Sequence, residues 1–261
     1  MKIQLAITGL ARSLDVCLPT IERNISRWLR LAPGFDVSQS LTLSYSATPL
    51  DNERTGEDQA AIPNPDILRS QVATLFPLEE TREESSALFS RALREGEWLE
   101  GSGRNLRNYL EFLTLLKKAG NSIDEEDVDV VVFIRPDLLV LDKFIPLPSI
   151  TLSKNSIITP RWGKFLGLND RMAIIPRRFV PEYFSRIDTV EEFIREQGPF
   201  DPEKHLAWAL RGIPSRPSLT TELVRVRVGG VIAETDLERL ETSGPIRRAQ
   251  AKKLRRTYPT R

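Results

Sequence analysis

Hydrophobic and polar positions follow one another in short blocks that predict strands and helices in turn. The clearest block is 128–134, VDVVVFI, in which every residue except Asp129 is β-branched or aromatic. A strand that is apolar on both faces is typical of the centre of a mostly parallel sheet. The block ends abruptly in Arg135, Pro136 and Asp137, so a cation and an anion lie together where the buried strand ends.

Further elements are predicted from the same patterns. Alternating or continuous apolar residues predict strands at 3–7, 35–46, 150–158, 172–176 and 223–228. Apolar residues that recur every three or four positions predict helices from about Asp15, at 80–94, 105–119, 178–187 and 189–196, and from Asp201. Polar segments at 47–66 and 96–104 predict a long loop and a glycine-rich turn. This alternation indicates a single α/β domain with a mostly parallel central sheet flanked by helices.

Charged residues follow two of the predicted strands. Ligands of open α/β sheets bind outside the carboxyl ends of the strands, and Arg135 and Asp137 follow the central one. The first strand ends in Thr8 and Gly9, and Arg12 precedes the next helix, which favours a phosphate site there. An ordinary ion pair at a strand end is the alternative interpretation of Arg135 and Asp137.

Scarce residue types exclude several kinds of chemistry. The 261 residues contain one cysteine and one histidine, so a Cys/His zinc site cannot form. The motifs G-x-S-x-G, G-x-G-x-x-G and G-x-x-x-x-G-K-[ST] are absent from the sequence, which argues against nucleophile-elbow hydrolases, dinucleotide-fingerprint dehydrogenases and P-loop kinases. Acid–base chemistry must then come from carboxylates. The single histidine, His205, is interpreted as a packing or surface residue.

Charge is unevenly spread along the chain. The formal net charge is +1, but the last 18 residues carry seven Lys or Arg and no acid, which leaves −6 for the rest. A neutral-to-acidic body argues against nucleic acid as a partner. Segment 245–261 is interpreted as a basic tail, either a solvated, frayed end or a contact with RNA or an anionic membrane. Without a bilayer-length apolar run or a signal-peptide pattern, a cytoplasmic protein, peripheral at the membrane if the tail binds there, is expected.

The order of these motifs resembles a known family. A first strand ending in a Gly/Arg turn is followed by DVVVFIRPDLLVL, GLNDRMAIIP, PFDPEKHLAWAL and VRVRVGG. This order resembles the small glycosyltransferase-like proteins of bacterial and viral surface-polysaccharide and lipopolysaccharide synthesis. The resemblance covers roughly residues 1–230 and implies a GT-A-like, Rossmann-like domain. We predict that this domain comprises residues 1–244. In that fold a nucleotide-sugar lies across the carboxyl ends of the central strands.

The resemblance also bears on whether a divalent metal ion binds at the donor site. Arg135-Pro136-Asp137 stands where the family carries a D-x-D motif that holds Mg²⁺ or Mn²⁺ on the donor diphosphate. Asp137 matches the last acid of that motif and is the implied metal ligand. Arg135 replaces the first acid, and a guanidinium can neutralise a diphosphate directly. Dependence on Mn²⁺ or Mg²⁺ therefore stays open at this point.

The remaining site residues follow from the same resemblance. Asn169-Asp170-Arg171 matches the element that lies beside the sugar and the acceptor, which makes Asp170 the first candidate for the base that deprotonates the acceptor hydroxyl. Glu203 is the second candidate base. The implied donor-binding residues are Thr8, Gly9, Arg12, Arg135, Asp137 and Arg171.

Three functions are compatible with these residues. The first is a glycosyltransferase that moves a sugar from a nucleotide-diphosphate donor to a hydroxyl of a glycan or lipid-linked acceptor. The second is an inactive GT-A-like module that binds a sugar or a partner, which the missing first acid of the metal motif favours. A nucleotidyltransferase ranks third, because no lysine follows the first strand, where Arg12 stands instead.

Overall fold

The structure is a computed structural model that describes residues 1–48, 72–95, 104–144, 150, 153–163, 167–197 and 200–259. Its strands are β1 (Lys2–Leu10), β2 (Asp36–Tyr45), β3 (Ala73–Pro77), β4 (Val130–Ile134), β5 (Leu138–Val140), β6 (Ile157–Pro160), β7 (Met172–Pro176), β8 (Ser215–Leu219) and β9 (Leu223–Arg225). Its α-helices are α1 (Leu14–Ile21), α2 (Arg27–Leu31), α3 (Leu78–Glu95), α4 (Arg104–Asn121), α5 (Val180–Phe184), α6 (Val190–Gln197), α7 (Pro202–Ala209), α8 (Glu234–Thr242) and α9 (Pro245–Thr257). A π-helical turn, Glu22–Ser26, joins α1 to α2 without a break.

Seven of the described strands form one central sheet in the order β3-β2-β1-β4-β7-β6-β8. The pairings β3–β2, β2–β1, β1–β4 and β6–β8 are parallel, and β7 runs antiparallel to both β4 and β6. Every residue of β4 is buried, as its continuous apolar sequence predicts. The predicted fold class, a mostly parallel α/β sheet flanked by helices, is confirmed.

The sheet is covered on both faces because alternate side chains of each strand point to opposite sides. In β4, Val131 and Phe133 pack against the face that α4 covers, and α5 and α6 extend that layer. Val130, Val132 and Ile134 pack against the opposite face, which α1 and α2 cover. Each fully buried side chain of this size stabilises the fold by about 1.5–3 kcal/mol, so the two layers hold β4 and its carboxyl end firmly.

A small second sheet lies beyond the carboxyl end of β4. Strands β5 and β9 pair antiparallel, with Leu139 opposite Val224. The backbone N–H of Val226 donates to the carbonyl of Asp137 over 2.8 Å, which ties the end of β9 to the turn that follows β4. Ser13 adds a second tie, because its hydroxyl donates to the carbonyl of Arg227.

Two predicted strands are corrected by the structure. Segment 150–158 is strand only from Ile157, because Ile150 is helical and the hydroxyl of Ser153 hydrogen bonds to the Ile150 carbonyl in a local turn. Segment 223–228 is strand only as far as Arg225 and then passes into a 3₁₀ turn. The edge strands β3 and β8 were not predicted, since each keeps polar or exposed positions along its length. The predicted loop 47–66 and turn 96–104 lie almost wholly outside the described residues.

Segment 245–257 forms helix α9, so the interpretation of the tail as a frayed end is wrong for this part of it. Ala251 and Leu254 are buried and join the cluster that α8 contributes. Arg247 makes an ion pair with Asp142, and the guanidinium of Arg255 pairs with the carboxylates of α8. The domain boundary at 244 stays a prediction. Within the described residues, no helix combines the length and the apolar character needed to cross a bilayer.

Candidate active site

The candidate site begins where β1 and β4 end side by side. These strands are parallel neighbours, with Ile7 opposite Ile134, so the segments that follow them meet at the same edge of the sheet. Gly9 lies against Pro136, and a Cβ on Gly9 would come within 2.7 Å of the proline Cδ. A residue without a side chain is therefore needed there for the two chain ends to approach each other.

Asp137 lies between two guanidinium groups. Arg135 donates from Nε to Oδ1 over 3.0 Å and from Nη2 to Oδ2 over 2.8 Å. Arg12 donates from Nε and Nη2 to Oδ2 over 3.2 and 2.9 Å. The Asp137 side chain is 3% exposed, whereas those of Arg12 and Arg135 are 13% and 20% exposed, so the carboxylate is removed from water while the guanidiniums stay partly accessible. All three belong to the implied donor-binding residues, and the structure brings Arg12 and Arg135 into direct contact with Asp137.

This arrangement does not fit a divalent cation at Asp137. Burial alone would raise the pKa of the Asp137 carboxyl, but the charges of Arg135 and Arg12 outweigh burial and lower the pKa below its ordinary value. Both carboxylate oxygens already accept hydrogen bonds from guanidinium nitrogens, and Mg²⁺ or Mn²⁺ would have to displace positive groups to reach them. No group of three His, Cys, Asp or Glu able to hold a metal exists among the described residues. The predicted metal role of Asp137 therefore has no support in its contacts.

Arg135 links this cluster to Asp170. The distance from Arg135 Nη1 to Asp170 Oδ2 is 3.6 Å, and the Asp170 side chain is 7% exposed. The Arg135 guanidinium also lies over the ring of Phe112, 5.6 Å from its centroid. Asn169 fixes the loop before Asp170, because its amide donates to the carbonyl of Trp162 and its carbonyl oxygen accepts from the backbone of Arg171. The N-D-R element is thereby held against the end of β4.

Glu203 lies on the other side of Asp170, in the first turn of α7. The backbone N–H of Leu168 donates to the Glu203 carbonyl over 3.0 Å. A Cβ on Gly167 would lie 1.9 Å from that same carbonyl oxygen, so only glycine permits this contact. Burial, and then repulsion from Asp170 and Asp201, raises the pKa of Glu203 to about 8. At neutral pH Glu203 is therefore mostly protonated, and among neighbouring acids the charge of Asp170 contributes most to this shift.

The raised pKa of Glu203 predicts a pH-dependent difference in stability. The folded protein holds a proton on Glu203 up to about pH 8, whereas the unfolded chain releases it near its ordinary pKa of about 4.3. Folding is therefore favoured most below that ordinary pKa, and stability falls as pH rises towards 8, by at most about 1.4 kcal/mol per unit. Glutamine has no proton to release, so we expect the free energy of unfolding of Glu203→Gln to rise relative to that of the wild type as pH increases from 5 to 8. Thermal unfolding at several pH values measures this difference. A constant difference across that range would contradict the shift.

Arg171 forms a separate ion pair, with Asp236. Its Nη1 lies 3.0 Å from Asp236 Oδ1, and Asp236 also accepts hydrogen bonds from the backbone and side chain of Arg225. The Arg171 guanidinium stacks over Trp162 at 5.2 Å from its centroid and is buried. The donor-binding role of Arg171 remains a prediction, although these contacts make it a support of the loop.

Thr8 in β1 and Ser13 at the start of α1 flank the turn that carries Arg12. The Thr8 side chain is buried and its hydroxyl has no hydrogen-bond partner among the described residues, so its donor-binding role remains a prediction. Ser13 has φ 52° and ψ 28°, the left-handed conformation, at the N-cap of α1. A non-glycine residue there is strained by roughly 1–2 kcal/mol, and its hydrogen bond to the second sheet helps to hold it.

A buried cation behind Asp170 was not predicted. Arg186 is 1% exposed, donates from Nη1 to the Tyr183 carbonyl over 2.7 Å and stacks on the Tyr183 ring at 4.6 Å. No carboxylate of the described residues lies within 4.0 Å of it, but its charge interacts with Asp170. Burial, and then the charge of Arg186, lowers the pKa of His205 to about 3, so His205 is a neutral packing residue as expected. Trp208 packs beside it, against Phe193.

Comparison with known proteins gives similarity at the level of whole structures alone. No family model and no curated protein matches the chain. The apo structure of mouse xyloside xylosyltransferase 1 is similar at 10% identity and a TM-score of 0.42, over 83% of this chain and 84% of that one. The galactosyltransferase LgtC, solved with donor and acceptor sugar analogues, is similar at 12% identity and a TM-score of 0.43, over 96% and 83%. Similarity this weak has no bearing on which reaction the site carries out.

Proposed function

We propose that the protein is a glycosyltransferase with a GT-A-like domain, which moves a sugar from a nucleotide-diphosphate donor to a hydroxyl of a glycan or lipid-linked acceptor. The observation that carries this proposal is the convergence of Arg12, Arg135, Asp137 and Asp170 at the carboxyl ends of the parallel strands β1 and β4. Two guanidiniums and two carboxyl groups at that edge suit a reaction in which a diphosphate leaves and a hydroxyl loses its proton. The order of sequence motifs described above supports the same family.

The arginines are assigned to the donor diphosphate. Asp137 is buried beneath them and holds each guanidinium through two hydrogen bonds, so its role is to orient them. A guanidinium has five N–H donors in a fixed fork, and Asp137 occupies only Nε and Nη2 of Arg135. A preorganised fork is well suited to stabilise the charge that develops on a departing diphosphate. No step requires a metal ion at Asp137.

Asp170 is assigned as the base. The acceptor oxygen forms a bond to the anomeric carbon of the donor sugar, the bond from that carbon to the diphosphate breaks, and the hydroxyl proton passes to Asp170. The ion pair with Arg135 places the Asp170 carboxylate next to the proposed donor site. Glu203, whose pKa is about 8, holds its own proton at neutral pH and is better suited to donate a hydrogen bond than to accept a proton.

Thermal unfolding with nucleotides tests the donor site. A ligand at about 100 times its dissociation constant stabilises the native state by about 2.7 kcal/mol, a shift in Tm of roughly 5–10 °C for a chain of this size. We expect one nucleoside diphosphate or its sugar conjugate to give such a shift equally well with Mn²⁺ or with EDTA. Arg135→Lys, which keeps the charge but loses the fork, should reduce the shift.

The matched control for that experiment is Arg216→Lys, on the exposed edge strand β8, which should leave the shift unchanged. A shift that needs Mn²⁺ would contradict the metal-free diphosphate site. The absence of any shift with every nucleotide would overturn the proposed function.

The alternative is a GT-A-like module that binds a sugar nucleotide or a partner without turnover. The observation that favours it is the poor fit of a metal at Asp137. A nucleotide-dependent Tm shift without sugar transfer or release of the nucleoside diphosphate, across a panel of glycan acceptors, would select this alternative.

A further inference from the structure

We propose that a basic, partly apolar face at the far end of α1–α2 docks the protein on an anionic lipid surface. Its core is a hollow of about 430 Å³ lined by Arg23, Asn24, Arg27, Trp28, Leu31 and Lys143, here called the basic groove. The candidate active site lies at the other end of α1, where Arg12 precedes the helix. At about 1.5 Å per residue, Arg23 lies about 13 Å and Leu31 about 25 Å along the helical span from Leu14, so the groove is displaced from the candidate active site.

The cations of the basic groove face solvent without acidic partners. Arg23, Arg27 and Lys143 are exposed, and none makes an ion pair within the described part of the chain. By contrast, Arg30 on the same helix has Glu22 at 4.0 Å. Cations left unpaired at close range repel one another in the free protein and attract an anionic surface, where each contributes about 1 kcal/mol.

Apolar side chains lie among these cations. Leu31 is 64% exposed at the end of α2, which is unusual for a large aliphatic side chain in a helix that buries Leu29 beside it. Trp28 is half-buried in the wall of the groove, and Lys143 Nζ lies 4.8 Å from the centroid of its ring. Tryptophan and leucine beside Lys and Arg are the composition of segments that lie in the lipid headgroup region.

Helix α9 adds a second basic surface, and its first turn is tied to the residue that precedes Lys143. Asp142, the residue before Lys143, pairs with Arg247 and fixes the first turn of α9 beside the groove, where Ile246 is 75% exposed. Because Ala251 and Leu254 are buried, the opposite side of the helix faces solvent. The exposed residues there include Ala249, Lys252, Lys253 and Arg256, and the helix contains no acid.

A lipid surface fits this face better than nucleic acid does. The body of the chain outside the last 18 residues carries a net charge of −6, which would oppose wrapping by a long polyanion. A planar anionic membrane can meet one basic face while the acidic remainder points away from it. The exposed leucine and isoleucine gain by entering the headgroup layer, whereas they contribute nothing to phosphate contacts in solution.

Vesicle co-sedimentation tests this proposal. We expect the wild type to bind vesicles of phosphatidylcholine mixed with phosphatidylglycerol, to bind vesicles of phosphatidylcholine alone much more weakly, and to be released by high salt. The variant Arg23→Glu/Arg27→Glu/Lys143→Glu should bind the mixed vesicles about 100-fold more weakly. The matched control Lys154→Glu/Arg177→Glu/Arg216→Glu reverses three exposed cations elsewhere and should bind nearly as the wild type does.

The outcomes separate docking from its alternatives. Equal loss in both triple variants would overturn the proposal, because net charge rather than this face would then control binding. The proposal would also be overturned if the wild type stayed in the supernatant with mixed vesicles. It would be overturned likewise if the groove cations bound a single-stranded oligonucleotide and did not bind vesicles. Leu31→Asn/Ile246→Asn gives a further check, since loss of binding there shows that apolar side chains enter the lipid. Nucleotide-induced Tm shifts in the triple variant show separately that the fold and the donor site are intact.

Discussion

Asp137→Asn is expected to lower the free energy of unfolding by about 3–5 kcal/mol, because it removes the buried carboxylate charge that accepts hydrogen bonds from both Arg12 and Arg135. Asparagine keeps the shape of the side chain, so the loss measures charge rather than volume. The Asp137 side chain is 3% exposed and those of Arg12 and Arg135 are 13% and 20% exposed, so water can replace the lost carboxylate only in part. Urea denaturation at neutral pH measures this difference, and a fall in Tm of roughly 10 °C should accompany it.

The pH dependence of that loss is an internal check. The pKa of Asp137 is lowered in the folded state, so its stabilising contribution is present above the ordinary pKa of about 3.9 and fades as pH falls below it. The difference between the wild type and Asp137→Asn should therefore shrink in acid. Asp142→Asn is the matched control, since the Asp142 side chain is 29% exposed against 3% for Asp137, and its pair with Arg247 should contribute less than about 1 kcal/mol. Equal losses in the two variants would show that the Asp137 cluster is hydrated.

This expectation changes how Asp137 can be used as a probe. A variant that loses several kcal/mol cannot show whether the carboxylate contacts a donor, because binding and folding would fail together. Arg135→Lys separates the two effects better, since a charge remains beside Asp137 and Asp170. The Asp137 cluster is thus a structural foundation of the candidate site as well as part of it.

The sheet could be predicted from the sequence where burial controls it. Strand β4 is apolar on both faces and forms the centre of the sheet, and β7, predicted as a short buried strand, is its neighbour. Strands β3 and β8 could not be predicted in the same way, because an edge strand pairs on one side only and carries polar or exposed residues. The chain direction of β7 could not be predicted either, since antiparallel pairing depends on the connection and not on the strand's own residues.

The candidate site was predictable as a location and only partly as a set of contacts. Parallel strands place their carboxyl ends together, so Arg12, Arg135 and Asp137 could be expected as neighbours. The partner of Arg171 could not, because Asp236 lies 65 residues later, in the first turn of a helix where an acid needs no further explanation. The burial of Arg186 could not be predicted either, since nothing in the sequence of segment 186–189, RIDT, indicates a buried guanidinium.

Asp170→Asn is expected to lower kcat by about 10²–10⁴-fold while the protein stays folded, because the proposed reaction loses its base. Glu203→Gln is expected to keep most of the activity at pH 7, since glutamine resembles the protonated form that Glu203 adopts with its pKa of about 8. Its effect should appear instead in the pH profile. The wild type should change activity near pH 8 as Glu203 ionises beside Asp170, and Glu203→Gln should lack that change.

The comparison of these two variants decides which carboxyl group is the base. It requires the donor found by thermal unfolding, a glycan acceptor, and measurement of the released nucleoside diphosphate from pH 6 to pH 9. Asp188→Asn is a suitable control, because Asp188 pairs with Lys117 at the surface, away from the cleft. If Glu203→Gln abolishes turnover while Asp170→Asn retains it, the assignments are reversed. In that case Glu203 must lose its proton when the donor binds, and the burial and the repulsion from Asp170 that raise its pKa would have to be offset by Arg135.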